Sequence, residues 1–394
     1  MKKNQTVRIQ SAKMIILTFV HFLADSVGNF IPGFLPAIIA YFHLNLATGV
    51  MIGSFMGIFC NLLQIPASKL GEKSKSPFWL ILGIFLIGST CLIGLLPPGT
   101  PLPVILLLIF SSAVGIALAH PTGLRGTQAL NALPSGIVTT FFMTGGFFGA
   151  AFAPWCSSLL VEQFGLKGVL FFLPLILLIA LSVKIFGIVL ETGRKKQVRK
   201  GDLVSPWSFE SLLLISTFLN CGSAVFSGLV VYMLNVEKGF SMSYGGFALM
   251  LFGVGSSVFS VILGIISSRR KVDSLILLLL FCGIPVTLCF FLFSQFRPAI
   301  LLAFACGALC SSPFPLFVSM SKNAPGKYSP GIRMGMIVGG TWGIAGLVFL
   351  AVGILAEHFG TCRILTITVP VFYTLAAVFA VISRKRFEKK VEKA

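Results

Sequence analysis

The chain has 394 residues, of which 56% are apolar and 10% charged, with a mean hydropathy of +0.98. Soluble domains carry roughly 45–50% apolar and about 25% charged residues, so this composition excludes an ordinary soluble protein and leaves no room for a sizeable soluble domain. The formal net charge of +19 would suggest nucleic acid in a soluble chain, but the basic residues sit in short loops between apolar runs and read as membrane topology.

A run of about 20 apolar residues crosses a bilayer as a helix. Twelve runs follow one another, at approximately 14–40, 48–66, 78–96, 103–121, 136–160, 169–190, 209–235, 243–266, 274–294, 299–321, 334–356 and 365–383. The first, preceded by Lys2, Lys3, Arg8 and Lys13, is too long for a signal-peptide core and reads as a retained helix. Pro32, Gly33 and Pro36 interrupt it, and Pro313 and Pro315 interrupt the tenth, as membrane helices tolerate. The runs are too continuous for the alternation of a barrel. Cys60, Cys91, Cys221, Cys282, Cys289, Cys306 and Cys310 fall inside apolar runs with no CxxC spacing, so they read as reduced packing residues. No metal site and no cofactor is expected.

Alternate loops divide the basic residues unequally. The side bearing the termini carries 25 Lys and Arg, the other only Lys167, Lys238, Arg297 and Arg363. This bias puts both termini in the cytoplasm and supports an even number of spans in a bacterial inner membrane.

Polar residues within the spans are the functional candidates. Asp25 is the one carboxylate deep in a run, where an ionisable group costs on the order of 2.5–3.5 kcal/mol on insertion scales. His21 and Asn29 lie four positions to either side and share its helical face. The functional reading is a proton-coupling carboxylate tuned by His21; the structural one is a hydrogen-bonded Asp at a helix contact. Asn61 and Gln64 close the second span and line a substrate path or bond to neighbouring helices. His120 and Arg125 close the fourth in AHPTGLRG, where His120 is either a pathway residue or a structural histidine and Arg125 is either a snorkelling anchor or an anion-binding or gating group. Lys184 snorkels. Asn220, Tyr232 and Asn235 line a substrate path or bond to neighbouring helices.

The polar segment 191–208 separates two nearly equal halves, 1–190 and 209–394, the latter ending in a basic tail. GGFFGAAFAPWCSSLLVEQFG at 145–165 and GGTWGIAGLVFLAVGILAEHFG at 339–360 both begin GGxxG and end Glu-x-Phe-Gly, about 195 positions apart. LPSG at 133–136 and YSPG at 328–331 repeat at the same offset, and the basic loops 69–75 and 269–271 roughly correspond. A duplicated six-span unit in one orientation follows, with two pseudo-symmetric halves about an axis along the membrane normal. Gly145, Gly146, Gly149, Gly339, Gly340 and Gly343 would form close-packing faces on spans five and eleven, either static or sliding during transport.

HFLADSVGNFIPGFLPAI at 21–38 resembles the opening helix of the fosmidomycin-resistance branch of the major facilitator superfamily. The resemblance continues in NLLQIPASKLGEK at 61–73, AHPTGLR at 119–125 and GMIVGGTWGIAGLVFLAVGILAEHFG at 335–360, so it covers both halves. It implies an all-α fold of twelve transmembrane helices and proton-linked export of small compounds, including a phosphonate antibiotic. It further implies coupling through His21 and Asp25, a cytoplasmic gating loop at Glu72 and Lys73, and Arg125 at the cytoplasmic end of the pathway. The family's acidic residue after His-Pro is Thr122 here, and its Gly before the acidic–basic pair is Ser68.

The expected function is therefore a monomeric, proton-coupled exporter whose partners are a small-molecule substrate, protons and the lipid bilayer. Its alternative is an uptake symporter or facilitator for an organic anion. An enzyme is not expected: HExxH, GxSxG and paired intramembrane acids are missing from the sequence.

Overall fold

The computed structural model describes residues 2–70, 72–192, 205–267 and 272–391. Most of the segment expected to link the halves, 193–204, lies outside the described residues, as does the basic loop 269–271. The described residues are helical, with no strand among them. Eleven helical stretches are long and apolar enough to cross a membrane. One of them, Ile137–Ile185, has 49 residues. At 1.5 Å per residue it would reach about 74 Å, more than twice a hydrocarbon core of about 30 Å. It reverses at Gly165, whose φ of 64° places it in the left-handed region that favours glycine. The stretch is two crossings, which makes twelve among the described residues.

The crossings are α1 (Gln5–Tyr41), α2 (Leu46–Lys69), α3 (Phe78–Leu95), α4 (Leu102–Gln128), α5 (Ser135–Phe164) and α6 (Phe172–Ile185) in the first half. In the second they are α7 (Phe209–Glu237), α8 (Met242–Ile266), α9 (Val272–Leu292), α10 (Arg297–Ser321), α11 (Ile332–Phe359) and α12 (Thr361–Arg384). The glycine closing the later Glu-x-Phe-Gly, Gly360, ends α11 with φ 86°, so both copies of the motif terminate a helix in the same way.

Proline punctuates as expected. Pro32 has no N–H for the carbonyl of Gly28, and α1 kinks at Asn29 (φ −115°, ψ 11°) and again at Phe34 (φ −131°, ψ 21°). The Asn29 side-chain amide donates to the Asp25 carbonyl at 2.8 Å, meeting a backbone acceptor beside the kink. Wider π-turns interrupt α7 at Met233–Glu237, α10 at Gly307–Ser311 just before Pro313, and α11 at Met336–Gly340.

In the first half α1 packs on α5 and α4, and α4 on α2 and α3. In the second, α12 packs on α7 and α9, and α10 on α8 and α9. The halves meet mainly along two seams, α5 against α8 and α2 against α11, with the outer part of α1 also touching α7 and α8. Small residues set the closeness of both. A Cβ on Gly246 would lie 2.1 Å from Ser158 Oγ, and one on Gly353 would lie 2.4 Å from Val50 Cγ1. Large apolar side chains such as Leu107, Leu178, Ile265 and Leu301 remain more than half exposed, as suits a bundle solvated by acyl chains.

Candidate functional site

The polar stripe of α1 points into the first half. Asp25 lies one helical turn above His21, and α4 brings His120 to the same carboxylate from 95 positions away. His120 Nε2 is 2.8 Å from Asp25 Oδ1, and His21 Nε2 is 3.3 Å from Oδ2. The imidazoles stand edge to face, with centroids 5.0 Å apart. His21 is 6% exposed, while Asp25 and His120 retain 26% and 19%. The carboxylate is therefore only partly covered by the side chains around it.

The opposite nitrogens fix the proton inventory. His21 Nδ1 lies 2.8 Å from the Phe142 carbonyl, and His120 Nδ1 lies 2.9 Å from the Ile116 carbonyl. A carbonyl oxygen only accepts, so each Nδ1 carries a hydrogen and donates it. A neutral imidazole of that tautomer presents a lone pair at Nε2. Two such lone pairs facing two carboxylate oxygens repel, unless a proton occupies each contact or one cation is shared. The three groups offer ligand atoms within 4.8 Å of one another, a spacing a small cation could bridge. Protons satisfy the same demand with no other species.

Glycine makes room for the cluster. A Cβ on Gly146 would fall 2.3 Å from Asp25 Oδ2 and 2.6 Å from His21 Cε1, and the Phe142 ring stacks on His21 at 4.2 Å. A Cβ on Gly145 or Gly149 would fall 2.3 or 2.2 Å from the carbonyl oxygen of Thr18 or Phe22. The GGxxG of α5 thus packs that helix against α1 inside one half. The GGxxG of α11 differs. Gly339 and Gly343 face Asn61 and Leu62 of α2 across a seam, where a Cβ would lie 3.2 and 3.1 Å away, and a Cβ on Gly340 would meet only Met336 of its own helix, at 4.0 Å.

Of the other candidates Asn29 bonds to the Asp25 backbone carbonyl, and Arg125 bonds elsewhere. Arg125 donates from Nε to the Glu191 carbonyl at 2.9 Å and from Nη2 to the carbonyls of Ser74 and Glu72 at 2.7 and 3.3 Å. It braces the α2–α3 loop against the chain beyond α6, a geometry that favours the anchor over the anion-binding reading. Lys73 is exposed and Glu72 half-buried on that loop, and Gln64 is half-buried near the end of α2. Tyr232 and Asn235 sit at the far end of α7, where Asn235 donates to the Phe240 carbonyl at 2.7 Å. Thr122 is buried and donates back to the Leu118 carbonyl; the carboxylate beside His120 is that of Asp25 on α1. An apolar cavity of about 120 Å³, lined by Thr144, Phe147 and Phe148 of α5 and by Val254, Ser257 and Val258 of α8, lies on the other face of α5.

The C-terminal half carries a neutral counterpart. Asn220 follows Asp25 by the repeat offset and donates to Thr341 Oγ1 at 2.8 Å, and Ser216 stands where His21 would be. The repeat signalled this pairing. Nothing local signalled that Phe142 would hold His21 or that His120 would reach Asp25.

The family model described as Major Facilitator Superfamily matches residues 14–349. The uncharacterized MFS-type transporter YfnC of Bacillus subtilis (strain 168) is 24% identical over 161 residues, which are 40% of this chain and 38% of that protein's length. The chain therefore spans well under half of the curated relative it matches. Among solved structures, a bacterial homologue of the human lysosomal transporter Spinster, inward-facing and unoccupied, superposes with a TM-score of 0.75 at 16% identity, covering 97% of this chain and 98% of that one. A POT family transporter in complex with a thioalcohol-conjugated peptide gives 0.71 at 15%, covering 94% and 96%. The nucleoside transporter NupG gives 0.66 at 12%, covering 96% and 99%.

Proposed function

Because the chain belongs to the Major Facilitator Superfamily, we propose that it is a proton-coupled antiporter that exports a small organic compound across a bacterial inner membrane, with both termini in the cytoplasm. The observation that carries this reading is the His21–Asp25–His120 cluster. Both Nδ1 atoms are committed to carbonyls, so protons in the two Nε2–carboxylate contacts hold the cluster together. Removing them sets lone pairs against a carboxylate at 2.8 and 3.3 Å and pushes the three groups apart. A change of proton occupancy is thereby a change in the packing of α1 on α4 and α5, which is the differential interaction that coupling requires. Rocking of the halves about a midplane substrate site supplies alternating access. The motif resemblance in both halves to fosmidomycin-resistance exporters supports the outward direction, and the basic residues of the terminal side support the orientation.

The test is purified protein in proteoliposomes containing a pH-sensitive dye, challenged with a panel of small organic compounds that includes phosphonates. Antiport makes an imposed proton gradient drive substrate opposite to the protons. Co-movement of the two would replace the exporter with a symporter, and substrate flux indifferent to the gradient would remove the coupling.

A further inference from the structure

The duplicated Glu-x-Phe-Gly ends α5 and α11 at the face of the bundle opposite the termini, and its two carboxylates do the same thing. Glu162 Oε2 accepts from the backbone N–H of Ser243 at 2.8 Å, in the first turn of α8. Glu357 Oε2 accepts from the backbone N–H of Ala47 at 2.6 Å, in the first turn of α2. Each donor belongs to the half that does not contain the glutamate. First-turn N–H groups have no partner within their helix and sit at the positive end of its dipole, so a carboxylate is a favourable cap. One turn deeper the Ser158 side chain packs against Gly246 and the Val50 side chain against Gly353, where a Cβ would not fit, so each cap closes the end of a seam that is already tight.

We infer that Glu162 and Glu357 are a symmetric pair of latches that hold the two halves together at this face. In alternating access, on which this inference rests, opening here separates α5 from α8 and α2 from α11, and both caps must break. Both carboxylates are exposed. They recover water on release, which keeps each latch weak and reversible. A third glutamate supplies the comparison. Glu237, at the end of α7, caps Cys362 N at 2.7 Å and Thr361 N at the start of α12, but all three residues are in the C-terminal half. Its cap does not cross a seam.

The test is hydrogen–deuterium exchange with mass spectrometry on the full chain in nanodiscs, comparing wild type with Glu162→Ala, Glu357→Ala, the double variant and Glu237→Ala. Losing an N-terminal cap weakens a helix end by about fivefold in equilibrium. Glu162→Ala is expected to speed exchange by about that factor in the first turn of α8 and also in the first turn of α2, because one opening motion exposes both seams. Glu357→Ala should give the same two-seam pattern, and the double variant a larger one. Glu237→Ala should speed exchange at the start of α12 alone. If Glu162→Ala and Glu357→Ala each affect only the turn they cap, as Glu237→Ala does, the latch assignment is overturned. Should an alanine variant exchange throughout the bundle, Glu162→Gln and Glu357→Gln, which keep an acceptor and lose the charge, decide by the same pattern. No substrate is needed, so the latches can fail while the antiport reading stands, and the reverse.

Discussion

At the scale of single residues the proposed coupling turns on Asp25. Replacing it with Asn keeps the size and removes the titrating group. Asp25→Asn is expected to abolish proton-driven flux in proteoliposomes while the purified protein keeps its size-exclusion profile and melting temperature; unaltered gradient-driven flux would dismiss the coupling role. Gly146 offers an independent, steric test. A methyl there lands 2.3 Å from the carboxylate oxygen, and overpacking of this kind costs about 1–3 kcal/mol. Gly146→Ala should therefore lower thermal stability and flux together, whereas Gly340→Ala, with only Met336 at 4.0 Å, should leave both near wild type. Equal effects from the two would mean that the cluster tolerates displacement. Asp25 was legible as a candidate in the sequence, because a lone acid in an apolar run needs a reason to be there. Its tie to His120 was not, since 95 residues separate them and only the packing of α4 on α1 sets their distance.

At the scale of elements, Arg125 shows how a residue type underdetermines its role. The guanidinium fork suits an anion, yet here three backbone carbonyls at the tail-side ends of α2 and α6 receive it. Arg125→Ala is expected to lower the melting temperature and to reduce transport of anionic and neutral compounds by similar factors. A loss confined to anions, measured with a paired substrate panel, would return Arg125 to the substrate pathway. The glycine faces carry a related lesson. The two Gly-Gly pairs are 194 positions apart and the two Glu-x-Phe-Gly motifs 195. One residue of slip on a helix is a rotation of about 100°. The glycines of α5 consequently face α1, while Gly339 and Gly343 of α11 face α2 across the seam.

At the scale of the whole molecule, a symmetric frame holds an asymmetric site. The position equivalent to Asp25 is Asn220, fully buried and bonded to Thr341, with Ser216 in place of His21 and Pro315 at the repeat offset from His120. A carboxylate there would have no imidazole to share a proton with. Asn220→Asp is expected to destabilise the protein, because a buried unpaired charge is costly. Combined with Asp25→Asn, it should not restore proton-driven flux. Recovery of flux in that double variant would show that the halves are interchangeable and that the histidines are dispensable.

Sequence alone was enough for the solvent, the twelve crossings, the bias of charge to the terminal side and the duplication of a six-helix unit. These follow from sums and periods over neighbouring residues: hydropathy accumulates along a run, charge along a loop, and a repeat is a self-comparison. It took packing in three dimensions to set which nitrogens meet Asp25, which helix each glycine touches, and that the duplicated glutamates close on the opposite half. Those outcomes depend on helix rotation and kink angle, where a shift of one residue or a break at Asn29 redirects a side chain, and no local pattern encodes the partner it will find.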